Sequence, residues 1–135
     1  MVRQKPVVII GGSGHARVLI DCFVESERKI IGIVDPALEK GITVSGFKVL
    51  GGDEVLESIS NKDVELVNGI GALPGKMRRW QVAADLEKKK FQFAIVVHPS
   101  AIVSNSVHLE DGAQIMAGSV IQSGVSVGRQ SVVNS

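Results

Sequence analysis

Gly11-Gly12-Ser13-Gly14-His15-Ala16 stands directly after a short apolar run, Pro6 to Ile10, and directly before an amphipathic stretch, which places it on a strand-to-helix turn. Glycine lets a backbone approach a bound group closely, and the first amides of a helix have no partner within it, so such a turn can cradle a phosphate with Gly11 and Gly12 as its loop. The third glycine of the usual dinucleotide fingerprint is missing, and no Gly-Lys-Ser/Thr occurs, which excludes a P-loop. A tight turn without a ligand remains the alternative. Asp35 ends the next apolar run, about 20 residues on, where a carboxylate can accept ribose hydroxyls. His15, in the first helical turn, is placed for a ligand contact, with the positive end of the helix lowering its pKa. Asn68-Gly69-Ile70-Gly71 ends a third apolar run and is either a border of the same crevice or a plain turn.

The elements that carry these residues alternate between strand and helix. The pattern predicts strands over 6–10, 29–34 and 64–70, a helix from Gly14 to about Ser26, and a glycine-containing loop from Gly41 to Gly52. It also predicts a short helix from an Asp53 N-cap through Ile59 and a longer helix opened by Pro74-Gly75 and running to Lys90, whose final lysines complement the helix dipole. Arg78, Arg79 and Trp80 read as a solvated basic face with one buried aromatic. Phe91 to Val97 reads as the last strand, and His98-Pro99 as the junction, because the residue before proline avoids helical geometry. Strand, glycine turn, helix and strand form a βαβ unit, so the first domain, 1–96, is a Rossmann-like α/β fold around a parallel sheet.

Beyond the junction the period changes. Val97, Val103, Leu109, Ile115, Ile121, Val127 and Val133 place an aliphatic residue at every sixth position, and Ala101, Val107, Ala113, Ser119, Val125 and Ser131 form a second, smaller set four residues later. Neither helix nor ordinary strand has this period; it is that of a hexapeptide β-helix, with one large and one small inward position on each flat face. The second domain is therefore the start of a β-helix over 97–135, about two coils of it at roughly 18 residues a coil.

Composition narrows the function classes. The 135 residues are 44% hydrophobic with a net charge of +1 and no basic stripe, which disfavours nucleic acid and membrane surface as partners. A single cysteine, Cys22, falls in register with Val18, Leu19 and Phe23 on one helical face and reads as core. With no membrane span and no leader visible in these residues, a cytoplasmic protein is expected. His98 at the junction reads as packing or capping, and His108 as outward-facing; no metal-ligand cluster is apparent.

Taken together, Gly-Gly-Ser-Gly-His-Ala after the first strand, Asp35 after the second, Asn-Gly-Ile-Gly after the third and His98-Pro99-Ser100-Ala101 leading into hexapeptides resemble the sugar acetyltransferases of the sialic-acid O-acetyltransferase and bacillosamine-pathway type. The resemblance covers the whole chain. It implies a left-handed β-helix, a homotrimer for the full-length protein, acetyl-CoA as co-substrate bound along that helix, and a nucleotide-linked or free sugar held by the first domain. Sugar-nucleotide contacts then fall on Ser13, Gly14, His15, Asp35 and Gly71. Relatives that bind a uridine nucleotide often follow the Asp with a second acid; Pro36 stands there, which leaves the nucleotide open.

In that family the general base is a histidine followed by an acid, a few residues past an Asn-Ser or Asn-Thr pair, and this sequence reaches Asn134-Ser135. No catalytic residue is therefore assigned, most of the acetyl-CoA site falls outside these residues, and the chain reads as a fragment that holds the substrate-binding portion. The competing reading is a non-catalytic sugar-nucleotide-binding module. An NAD-dependent oxidoreductase is disfavoured by the incomplete glycine fingerprint and by a β-helix it would not need.

Overall fold

The computed structural model describes residues 4–134; the outermost ends of the two expected domains, residues 1–3 and Ser135, lie outside the described residues. The first strand, β1 (Val7–Ile10), is buried along its whole length, which is the pattern of a parallel strand covered on both faces. Val7 and Ile9 point to one side, where α1 (Gly14–Glu25) packs Ala16, Leu19, Ile20 and Phe23 against the sheet. Val8 and Ile10 point to the other, where they meet Ala83 and Leu86 of α2 (Arg78–Lys88). Cys22 lies in the α1 face of this core and is 1% exposed.

β1 pairs in parallel with β2 (Ile30–Val34) on one side and with β5 (Glu65–Asn68) on the other. The chain thus leaves β1 in one direction and later returns to its opposite edge, and a crevice opens beyond the carboxyl ends at this switch point. The segment expected as a loop over 41–52 instead contains a hairpin, β3 (Thr43–Val44) and β4 (Phe47–Gly51), and β4 extends the sheet in parallel beside β2. The reason is local: Ser45 and Gly46 both take positive φ, which makes the two-residue turn whose twist suits a hairpin, and Val44 and Val49 are buried.

Three further elements differ from expectation. The short helix is a 3-10 helix over Asp53–Ser58 capped at Gly52, so Asp53 is its first residue rather than its cap. The long helix begins at Arg78 rather than at Pro74-Gly75, because Gly75 has φ 73°, outside helical geometry, and it ends at Lys88. The expected strand over 91–97 divides: Phe93 bridges Leu66 at the edge of the sheet, whereas β6 (Val96–Val97) pairs with β9 (Gln114–Ile115) in the coils.

The remaining strands are short and parallel. β7 (Ile102–Val103) pairs with β10 (Val120–Ile121), β8 (His108–Leu109) with β11 (Ser126–Val127), and β9 with β12 (Val132–Val133), giving three walls around one interior. Ala113, Ile115, Ile121 and Val127 form that interior, with Ala101, Val103, Val107, Leu109 and Val133 partly buried against them. Corners at Gly112, Gly118, Gly124 and Gln130 all take positive φ, a six-residue recurrence of the turn itself. Two of the expected inward positions are not buried: Val97 is 40% and Val125 41% exposed. Pairing on one side only is not the cause, since Ile121 and Val127 are buried in rungs that also pair on one side among the described residues. Met116, adjacent to Ile115, is buried in the other direction, against the α1 face of the first domain, and this seats the coils on the sheet.

Candidate functional site

The crevice beyond β1, β2 and β5 is an open cleft of about 500 Å³. Gly11 and Ser13 enter it from the turn after β1, Asp35 to Ala37 from the end of β2, Ile70 and Gly71 from the end of β5, and Arg78, Asp85 and Lys89 from α2 and its C-terminus. Gly11 has φ 91°, and its amide donates to Val34 O at 2.8 Å, which bends the chain sharply out of the strand. Gly69 is fixed by crowding: its amide donates to Ile10 O at 2.7 Å, and a Cβ there would run into the backbone oxygens of Gly11 and Ile10. The two glycine turns therefore touch, and the cleft floor is their contact.

Asp35 organises this floor. One carboxylate oxygen accepts the Gly12 amide at 2.9 Å and the other accepts the Ala37 amide at 2.9 Å, so the acid ties the end of β2 to the turn after β1. Gly12 is consequently turned towards Asp35, and a Cβ on it would press against Leu38 and Ile33. Gly14 is different, since a Cβ there would meet nothing within 4 Å. Ser13 caps α1 in an extended conformation without a side-chain capping bond, and the first turn of α1 contains no acid, so the amides at this helix end remain available to an anion.

His15 does not join Ser13 and Asp35 in the cleft wall. Its Nε2 lies 2.7 Å from Oε1 of Gln114 on β9, and its Cβ packs beside Gly71, whose own Cβ position would be 3.6 Å away. Burial lowers the His15 pKa, the Gln114 bond opposes that, and the nearby Arg79 charge lowers it further, so the ring is neutral at pH 7.

Behind His15 runs a buried polar network that the residue pattern did not announce. Gln114 Nε2 donates to Asn68 O at 3.0 Å, and Asn68 Nδ2 donates to Arg79 O at 3.0 Å. Arg79 donates from Nη1 to Ile70 O at 2.6 Å and Asn68 O at 3.2 Å, and from Nε to Gln130 O at 2.9 Å. The expectation of a solvated basic face with a buried aromatic is overturned here: Arg79 is 1% exposed while Trp80 is 38% exposed. The carbonyls left free at the end of β5 and at the Gln130 corner need a donor with several arms, and a guanidinium supplies it. Desolvation lowers the Arg79 pKa to about 10, which keeps it charged at neutral pH.

His98 also has one partner distant in sequence. Nδ1 accepts from Ser100 N–H at 3.0 Å and lies 2.8 Å from Ser100 Oγ within the first coil, while Nε2 faces Glu25 at 3.1 Å and links the end of α1 to that coil. His108 is exposed. Among the described residues no three His, Cys, Asp or Glu side chains are grouped to hold a metal, and no helix is long and apolar enough to cross a membrane.

Against known proteins, residues 6–86 match the PglD N-terminal domain family. No curated protein sequence matches the chain. Among solved structures, PerB, a perosamine N-acetyltransferase from Caulobacter crescentus solved with CoA and GDP-perosamine, is 32% identical with a TM-score of 0.82, over 96% of this chain and 59% of that one. The acetyltransferase domain of PglB from Neisseria gonorrhoeae, solved with acetyl coenzyme A, is 25% identical with a TM-score of 0.87, over 98% of this chain and 62% of that one. The chain thus spans about three fifths of the solved proteins it resembles. The shared architecture is a Rossmann-like domain followed by the start of a left-handed β-helix. With more than half its length matched, this chain belongs to the PglD N-terminal domain family.

Proposed function

We propose that the chain is the substrate-binding portion of an acetyl-CoA-dependent acetyltransferase that acts on a sugar or nucleotide-linked sugar. The observation that carries this reading is the cleft at the switch point, where the Gly11–Gly14 turn, Asp35 and Gly71 converge in a fold otherwise shared with sugar acetyltransferases. In this assignment residues 1–96 hold the nucleotide-linked sugar and 97–135 begin the β-helix along which acetyl-CoA lies in the homotrimer of the full-length protein.

The roles follow from the geometry. Gly11 and Gly12 shape the turn through their bonds to Val34 O and Asp35, and Ser13 and Gly14 present the uncapped start of α1 to the phosphates, with the open space over Gly14 admitting them closely. Arg78 and Lys89, in the cleft wall, add positive charge, and Asp35 accepts a ribose hydroxyl on a lone pair not directed at Gly12 or Ala37. His15 and Gly71 stand at the edge nearest the coils, where the sugar would approach a thioester. The lowered pKa of His15, caused chiefly by burial, makes it a weak proton acceptor and suits contact better than proton abstraction.

Calorimetric titration with GDP-perosamine and other nucleotide-linked amino sugars tests the site. Binding that weakens about tenfold or more in Arg78→Ala is the expected result, since a charge-assisted hydrogen bond contributes about 1.5–3 kcal/mol. Equal affinity in the variant and the parent would refute the phosphate assignment. Acetylation of such a sugar by the full-length protein with acetyl-CoA tests the reaction class.

A further inference from the structure

His15 is held by a residue of the other half of the chain, and the hydrogen bonds around that residue determine where the imidazole proton sits. Gln114 is 1% exposed and bonds to Asn68 O at 3.0 Å with one end of its amide and to His15 Nε2 at 2.7 Å with the other. A backbone carbonyl only accepts, so the end facing Asn68 is the NH₂ and the end facing His15 is the oxygen. That oxygen also only accepts. His15 Nε2 therefore carries the hydrogen, and the lone pair of the neutral ring is on Nδ1. Nδ1 makes no hydrogen bond to the described residues and is not among the buried polar atoms that lack a partner, so it reaches solvent.

We propose that Gln114 is a positioning residue: it holds His15 as the Nε2–H tautomer and thereby presents Nδ1 as a hydrogen-bond acceptor, which reads a sugar hydroxyl or amino group and turns away a phosphate oxygen. A phosphate oxygen and an imidazole lone pair are both acceptors and repel one another, whereas a hydroxyl or neutral amine donates. Two further observations agree. Burial and the Arg79 charge oppose protonation of the ring, which would convert Nδ1 into a donor. The His15 side chain also leaves the backbone beside Gly71, which borders the cleft. The ligand part of this proposal rests on the function proposed above; the tautomer part rests on the hydrogen bonds alone.

Long-range ¹H–¹⁵N correlation spectra of the protein labelled in its histidines separate the two parts. His15, assigned by its loss in His15→Phe, is expected to show the Nε2–H pattern at pH 7. In Gln114→Met it is expected to shift to an averaged mixture of tautomers, and in Gln114→Glu to keep Nε2–H with a raised pKa. An Nδ1–H pattern in the parent protein, or an unchanged tautomer in Gln114→Met, would overturn the role of Gln114; the parent spectrum decides even where a variant fails to fold. The ligand arm compares GDP-perosamine with GDP. His15→Phe is expected to weaken GDP-perosamine about two- to tenfold, the worth of one neutral hydrogen bond, and to leave GDP unchanged. Equal loss for both would place His15 on phosphate and overturn the donor assignment. Absence of binding by both probes to the parent protein would overturn the functional reading, while the spectra would still decide the role of Gln114.

Discussion

Arg79 reaches across the chain to Gln130: its Nε donates to the Gln130 carbonyl at 2.9 Å, joining the first turn of α2 to a corner of the second coil. Gln130 adopts φ 59°, and its side chain is buried against Gly112 without a hydrogen-bond partner. A non-glycine residue in that backbone conformation is costly, by about 1 kcal/mol or more, and the guanidinium that holds its carbonyl is one of the contacts that keep it there.

Replacing Arg79 with Met should therefore destabilise the protein by about 3 kcal/mol or more, because three carbonyls lose a charged donor at once. Arg79→Lys should recover only part of this, since an ammonium cannot span the same fork. Urea unfolding midpoints of the two variants measure the difference, and equal stability of Arg79→Met and the parent would contradict it.

Gly14→Ala and Gly69→Ala should behave in opposite ways. A methyl on Gly14 enters open space within α1, so folding stability is kept or slightly raised while nucleotide-sugar affinity falls. A methyl on Gly69 collides with the Gly11 and Ile10 carbonyls, so thermal stability falls even without ligand. Melting curves paired with titration calorimetry distinguish the two.

In the coils, Ile115→Ala should cost about 2–5 kcal/mol, the usual range for truncating a buried aliphatic side chain, as Ile115 is fully enclosed. Ile102→Ala, at an adjacent level but 66% exposed, should change stability by less than about 0.5 kcal/mol. Denaturation of both in parallel checks the inward register.

Acid should act through His15. Its folded pKa is lowered, chiefly by burial, so the fold favours the neutral ring. The contribution is present above the ordinary histidine value of 6.5 and is lost as pH falls through the lower folded value, because the unfolded chain then binds the proton more readily. Thermal stability should decline across that window, and His15→Gln should flatten the decline.

Much of this was legible in the sequence, and the limits have physical causes. The period of six fixed the walls and most inward residues of the coils because packing around a narrow axis repeats identically, and it erred at Val97 and Val125, which are exposed. The glycine turn and Asp35 were visible because local backbone constraints leave marks on residue type. Arg79 and Gln114 were not, because their partners are carbonyls and an imidazole 46 to 99 positions away or on another element, and a polar side chain carries no sign of being buried. The hairpin at Ser45-Gly46 had a readable signal, a two-residue turn between Val44 and Phe47, that the run of neighbouring glycines obscured.

Because each rung aligns with one 18 positions away, the coils act as a ruler with marks at every sixth residue. Loss of one residue between Ser104 and Val107 would turn Leu109 off the inner wall and misalign every later rung. Gene length in this half is thus free to drift only by whole hexapeptides or by loops thrown outward from a corner. The exposed connection over 74–77 carries no such constraint, and natural variants of this protein should concentrate their single-residue insertions and deletions there.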